Sequence, residues 1–102
     1  MPFVDDLQTA VEEDITVDAT AGGVRLTIAN LIVTPPIRRV ELFLEDAQIR
    51  ISVDPATAPT ASSGEILNPF DRYTLKNITE AWNFRAIRTG GTSATLRARY
   101  FR

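Results

Sequence analysis

The chain has 102 residues, 44% of them hydrophobic and 24% charged, with a net charge of −2. That length suits one domain, and the balance is too apolar for a disordered chain. Cys and His are both absent, which excludes disulfide staples, thiolate catalysis, an imidazole base and the commonest transition-metal sites.

The first stretch, Met1 to Glu13, is read as an N-terminal arm. Val4, Leu7 and Val11 fall on one helical face with Asp5 or Asp6 to cap it, so a short docked helix and an extended arm both stay open. The body is expected to span residues 14–102. Ile15 and Val17 alternate with Thr16 and Asp18 as a strand, and Gly22-Gly23 makes a turn. Val24, Leu26 and Ile28 alternate with Arg25 and Thr27, which predicts a second, half-buried strand. No apolar run exceeds the length of Leu31-Ile32-Val33, far short of the roughly twenty residues of a membrane helix, and the acidic N-terminus does not resemble a signal peptide. A soluble protein without a membrane partner is expected.

After the break at Thr34-Pro35-Pro36, Arg39 to Glu45 reads as a strand with Val40, Leu42 and Leu44 inward. Phe43 then lies on the outer face between Glu41 and Glu45, either sealing the sheet edge or touching a partner. Gln48 to Val53 is the next strand. The longest loop, Asp54 to Gly64, is expected to be a solvated crossover between sheets. Glu65 to Leu67 and Arg72 to Lys76 are short strands around an Asn68-Pro69-Phe70-Asp71 turn. A helical turn is expected at Asn77 to Ala81, with Trp82 and Phe84 in the core.

Phe84 to Arg88 and Ala94 to Phe101 are alternating runs separated by a Gly-Gly turn, the grammar of a β-hairpin. Arg97 and Arg99 take its outer face. About eight strands at roughly ten-residue spacing predict an all-β fold, an antiparallel β-sandwich of jelly-roll type.

Several chemistries fail on spacing. No phosphate-loop pattern occurs, and a serine triad lacks its histidine. Glu41 and Glu45 stand about 13 Å apart along a strand, wider than the roughly 5–9.5 Å of glycosidase carboxylates. Asp5-Asp6 and Glu12-Glu13-Asp14 lack the alternation and central glycine of a calcium loop. No catalytic residue, metal or cofactor is assigned, and the acidic balance disfavours nucleic acid. Charge is split along the chain: residues 1–20 carry Asp5, Asp6, Glu12, Glu13, Asp14 and Asp18 without a cation. Residues 72–102 carry Arg72, Lys76, Arg85, Arg88, Arg97, Arg99 and Arg102 against Glu80. Such a split suits contact between copies, or an acidic segment laid on its own basic sheet.

Asn83 to Arg88, Gly90-Gly91-Thr92 and Ala94 to Arg97 through Tyr100-Phe101 form one block. Ile49 to Asp54, Pro59-Thr60, Gly64, Leu67 and Asp71 to Leu75 form another. Together they resemble small structural proteins of tailed bacteriophages, the head decoration or capsid cement family. Pro55 and Asn68-Pro69-Phe70 depart from that pattern at two loops. The resemblance implies a non-enzymatic virion protein, assembled in the host cytoplasm, that binds the major capsid protein of the finished shell as a homotrimer. Partner contacts are then expected at Phe3, Val4 and Leu7 of the arm and at Phe43, Arg97 and Arg99 of the sheet. A carbohydrate-binding or tail-associated adhesion domain is the alternative for such a sandwich.

Overall fold

Period-two alternation sets the inner faces of the sheets. In the strand Arg39–Leu44, buried Val40, Leu42 and Leu44 alternate with partly exposed neighbours, and in Ala94–Phe101 Ala94, Leu96, Ala98 and Tyr100 do the same. A computed structural model of the chain describes residues 9–34 and 36–102. Its strands are β1 (Thr9–Val17), β2 (Arg39–Leu44), β3 (Ile49–Ser52), β4 (Glu65–Leu67), β5 (Arg72–Leu75), β6 (Arg85–Arg88) and β7 (Ala94–Phe101). A helix, α1 (Ile78–Asn83), precedes β6, and Ile28–Asn30 forms one 3₁₀ turn.

The strands make two antiparallel sheets, ordered β1-β7-β2-β5 and β4-β3-β6. Pairing is nested along the chain. β1 pairs with β7, Val24 bridges Ala86 of β6, β2 pairs with β5 and β3 with β4. A long antiparallel ribbon rolled so that β7 also meets β2 and β6 also meets β3 is a jelly roll. The all-β sandwich expected from the sequence is the observed fold. Its core joins Val17, Val40, Leu42, Leu75, Leu96 and Tyr100 of the larger sheet to Ile49, Ile51, Leu67 and Ala86 of the smaller.

Five expectations are corrected. The final hairpin does not form: β6 and β7 lie in different sheets, because β6 takes β3 as partner while β7 fits between β1 and β2. The Gly-Gly segment is a crossing between sheets, tied at its start where the Thr89 N–H and hydroxyl donate to the Gln48 carbonyl (3.3 and 3.2 Å). Second, the strand expected at Val24 to Ile28 shrinks to the Val24–Ala86 bridge. Gly23, at φ +90°, brings the chain so close to β6 that a Cβ there would lie 2.9 Å from the Arg85 Cβ. Leu26 still enters the core, but Ile28 turns out into the 3₁₀ segment and is 55% exposed.

Third, Thr9 to Glu13 belongs to β1 and not to an arm or helix, so the body begins before residue 14. The rest of the expected arm lies outside the described residues. Fourth, the loop after β3 returns to the same sheet. It folds back rather than crossing: Pro59 is buried, Arg50 donates to the Ala61 and Gly64 carbonyls (3.2 and 2.8 Å), and Arg85 donates to Asp54 (3.1 Å). Fifth, Trp82 is 39% exposed. Asn77 caps α1 by accepting from the Glu80 N–H (2.9 Å), and the helical twist that turns Ile78 and Ala81 inward swings Trp82 out.

One end of the sandwich is closed by an inward carboxylate. Glu13 alternates with Glu12 and Asp14 and so faces in, where it accepts from the Tyr100 hydroxyl, from Thr27 Oγ1 (2.9 Å) and from Asn30 Nδ2 (3.1 Å). Burial, then the bond to Glu13 and its charge, push the Tyr100 phenol above its ordinary value. Burial raises Tyr73 as well. An unfolded tyrosine ionises near pH 10, so this stability is fully present below about pH 10 and is lost as pH rises toward the folded value. The urea midpoint should therefore fall above about pH 10, and Tyr100→Phe should flatten part of that fall. An identical alkaline slope in wild type and variant would refute the assignment.

Candidate functional site

The outer face of the larger sheet is built by the residues that alternate away from the core. From β1 come Glu12 and Asp14, from β7 Arg97 and Arg99, from β2 Arg39, Glu41 and Phe43, and from β5 Arg72. Register sets them in rows: Asp14, Arg97, Phe43 and Arg72 lie across one line, and Glu12, Arg99 and Glu41 across the next. Opposite charges on adjacent strands attract. Arg97 Nε meets Asp14 at 3.2 Å and Glu45 at 3.5 Å, Arg99 Nε meets Glu12 at 3.1 Å, and Arg39 Nη2 meets Glu41 at 3.2 Å. Each pair is exposed and contributes little alone. The Asp14 hydrogen bond, then its charge, hold the Arg97 guanidinium above its ordinary value.

At the β5 end this ladder gives way to aromatic surface. The Phe43 and Phe70 rings lie 6.4 Å apart at 41°, and the Arg72 guanidinium carbon sits 4.8 Å from the Phe43 ring centre. A groove of about 240 Å³ opens beside them, lined by Glu41, Leu42, Phe43, Arg72, Arg97 and Arg99.

Phe70 is 74% exposed and has φ +72°, the one non-glycine positive φ among the described residues. It occupies the third position of the Asn68-Pro69-Phe70-Asp71 turn, closed by the Asp71 N–H donating to the Asn68 carbonyl (3.0 Å). Proline second and positive φ third define a type II turn, whose third position favours glycine. Bonds to β2 fix the turn, with the Phe70 N–H on the Leu44 carbonyl (2.6 Å) and the Leu44 N–H on the Asp71 carbonyl (3.0 Å). A large side chain held strained and exposed contributes nothing to the core.

Removing it should therefore not destabilise the fold. Phe70→Gly relieves about 1–2 kcal/mol of left-handed strain and adds about 0.4–1 kcal/mol of unfolded-state entropy, so the urea midpoint should hold or rise slightly. A loss above about 1 kcal/mol would make Phe70 a structural residue.

Of the residues expected to touch a partner, the structure brings Phe43, Arg97 and Arg99 onto this one face. Phe3, Val4 and Leu7 lie outside the described residues. The two arginines are engaged by Glu12 and Asp14 of β1 and by Glu45, just after β2. Phe70 and Arg72 were not foreseen as site residues. The replacement of a glycine turn by Asn68-Pro69-Phe70 was the available signal for the first. The second needed the register that sets Arg72 opposite Phe43.

A second exposed patch surrounds Trp82, in a groove of about 190 Å³ lined by Arg25, Leu26, Ile28, Leu31, Ala81 and Trp82. Arg25 Nη1 donates to the Trp82 carbonyl (3.1 Å), and the Trp82 side chain remains partly exposed. Glu12-Glu13-Asp14, weighed above as a calcium ligand run, is split between the two sheet faces by alternation. Among the described residues no three carboxylates gather to hold a metal ion.

Fold and face together define a jelly-roll sandwich with a charge-laddered outer sheet and an aromatic corner. Comparison with protein-family models, with curated proteins and with solved structures finds no match.

Proposed function

We propose that the protein is a virion structural protein that decorates the phage capsid as a homotrimer, holding the major capsid protein through the outer face of its larger sheet. The observation that carries this reading is the Phe43, Phe70 and Arg72 corner. Exposed aromatics beside arginine are the composition of binding hot spots, and strain kept at an exposed residue points to use of that residue. The residues that resemble decoration proteins span β3, β5, β6 and β7, of which β5 and β7 form part of this face. Binding only the assembled lattice would stabilise the shell by mass action, as RT ln(1 + [L]/Kd).

Purified protein mixed with empty phage shells should co-sediment in saturable fashion, and native mass spectrometry should show three copies. Protein left wholly in the supernatant would end the proposal, and a monomer mass would end its trimeric form. A truncation that tests contact by Phe3, Val4 and Leu7 must stop at residue 8, because Thr9 starts β1.

Exposed Trp82 favours one second reading, a carbohydrate-binding or adhesion domain, since sugar rings stack on uncovered indoles. Quenching of Trp82 fluorescence by oligosaccharides, together with retention on an oligosaccharide column that Trp82→Ala abolishes, would support it over capsid binding.

A further inference from the structure

We infer that the groove beside Phe43 takes a carboxylate side chain from an extended segment of the partner protein, clamped by Arg72, with the apolar residue two positions along that segment, on the same face, packed on Phe70. The inference rests on the outer sheet face being the docking face. Its first ground is the contrast among the outer-face arginines. Arg97, Arg99 and Arg39 each meet a carboxylate within 3.5 Å, whereas Arg72 forms no ion pair among the described residues. Instead its guanidinium lies 4.8 Å from the Phe43 ring centre. That ring orients the planar group and shields one side of it, so its outer N–H donors remain set for a two-oxygen acceptor.

Volume and charge narrow the occupant. About 240 Å³ is below the roughly 300–1,000 Å³ of pockets that enclose a whole small ligand. It suits one or two side chains reaching down from a larger partner. Of the charges in the lining, Arg97 and Arg99 are paired to Asp14, Glu45 and Glu12, and Glu41 to Arg39, which leaves Arg72 as the lining charge without an ion pair among the described residues. An anionic group is favoured there over a cationic one. Phe70, 74% exposed at the rim, supplies the flat apolar surface for the next side chain on that face of the segment. Carboxylate and hydrophobe two positions apart describe an acidic, apolar protein segment.

Two measurements test this, one independent of any capsid. Isotope-labelled protein is titrated with a blocked peptide that carries Asp and Leu two positions apart, separated by Ser, and with the same peptide carrying Asn for Asp, while NMR follows the amides of Phe43 and Phe70 and the Arg72 Nε–H. The Asp peptide should shift these signals saturably. Asn substitution, Arg72→Ala or Arg72→Gln should each weaken binding about tenfold, as loss of a charge-assisted hydrogen bond does, and added salt should weaken it further. In parallel, the variants are pelleted with phage shells. Peptide binding at this corner without shell binding would retire the capsid reading and leave the inference standing. Shell binding unchanged by Arg72→Ala, Arg72→Gln and Phe70→Gly would overturn the inference and leave the docking reading standing. Equal binding of the Asp and Asn peptides would overturn the carboxylate clamp.

Discussion

Phe84→Ala is expected to lower the unfolding free energy by about 3–5 kcal/mol, while Trp82→Ala is expected to cost clearly less. Phe84 is 1% exposed, where α1 hands the chain to β6, and it belongs to the continuous core with Leu42, Ile51 and Leu75. Truncating a buried Phe removes its transfer free energy and leaves a cavity, together about 3–5 kcal/mol. Marginal domains hold only about 5–15 kcal/mol in total. Trp82 is larger, but at 39% exposed it sits at the surface, where its removal opens to solvent instead of enclosing a void and should cost about 1–2 kcal/mol. Urea midpoints of the two variants decide the matter. Equal losses would mean that the helix is rotated and both aromatics share the core, and a greater loss at Trp82 would turn α1 inside out.

This pair also shows what the sequence carries and what it omits. A strand reading puts Trp82 and Phe84 on the same face, two residues apart, and both inward. In α1 the relevant period is 3.6, so Ile78 and Ala81 define the buried stripe and Trp82 leaves it. The same limit explains the missing hairpin. Alternation in Phe84–Arg88 and Ala94–Phe101 correctly gives Ala86, Leu96, Ala98 and Tyr100 as inward residues, but it says nothing of which strand lies beside which. Five connecting residues can reach about 16 Å, enough either for a hairpin or for the roughly 10 Å step between stacked sheets. Long-range pairing to β1, β2 and β3 makes the choice, and no local signal reports it.

The candidate site divides along the same line. Phe43, Arg97 and Arg99 were legible because each breaks or marks the outer side of an alternating run. Their meeting on one row depends on β7 pairing with β2, where Phe43 stands opposite Arg97. Phe70 carried a local oddity, a bulky residue in a turn, that needs no register to be noticed but by itself marks only the shape of a loop. Arg72 carried none, being one arginine among eleven basic residues. Its distinction from the other arginines of the outer face is that no ion pair engages it among the described residues, a property of three-dimensional neighbours alone.

Glu13→Ala should be the most damaging change to any charged residue of β1, although Glu12 and Asp14 flank it with the same chemistry. Those two face solvent, where their arginine pairs contribute about 1 kcal/mol or less. Glu13 alone points inward, and the hydroxyl of fully buried Tyr100, Thr27 Oγ1 and Asn30 Nδ2 all donate to it. These bonds tie β1 and β7 to the segment that carries Leu26 and Leu31 into the core. An inward charge on an edge strand also guards register, since a slip of one residue would send it out and its acidic neighbours in. Losing the carboxylate leaves a buried phenol without its acceptor, a penalty of about 1–3 kcal/mol, to which the weakened Thr27 and Asn30 bonds add. We expect Glu13→Ala to lower stability by about 2–3 kcal/mol, and Glu13→Gln, which still offers Tyr100 an oxygen, by about 1 kcal/mol. Adding Tyr100→Phe to Glu13→Ala should recover part of the loss, because the stranded hydroxyl goes with it. Urea midpoints within about 0.5 kcal/mol of wild type for Glu13→Ala, or no recovery in the double variant, would show that this end of the sandwich is held by apolar packing and not by the carboxylate.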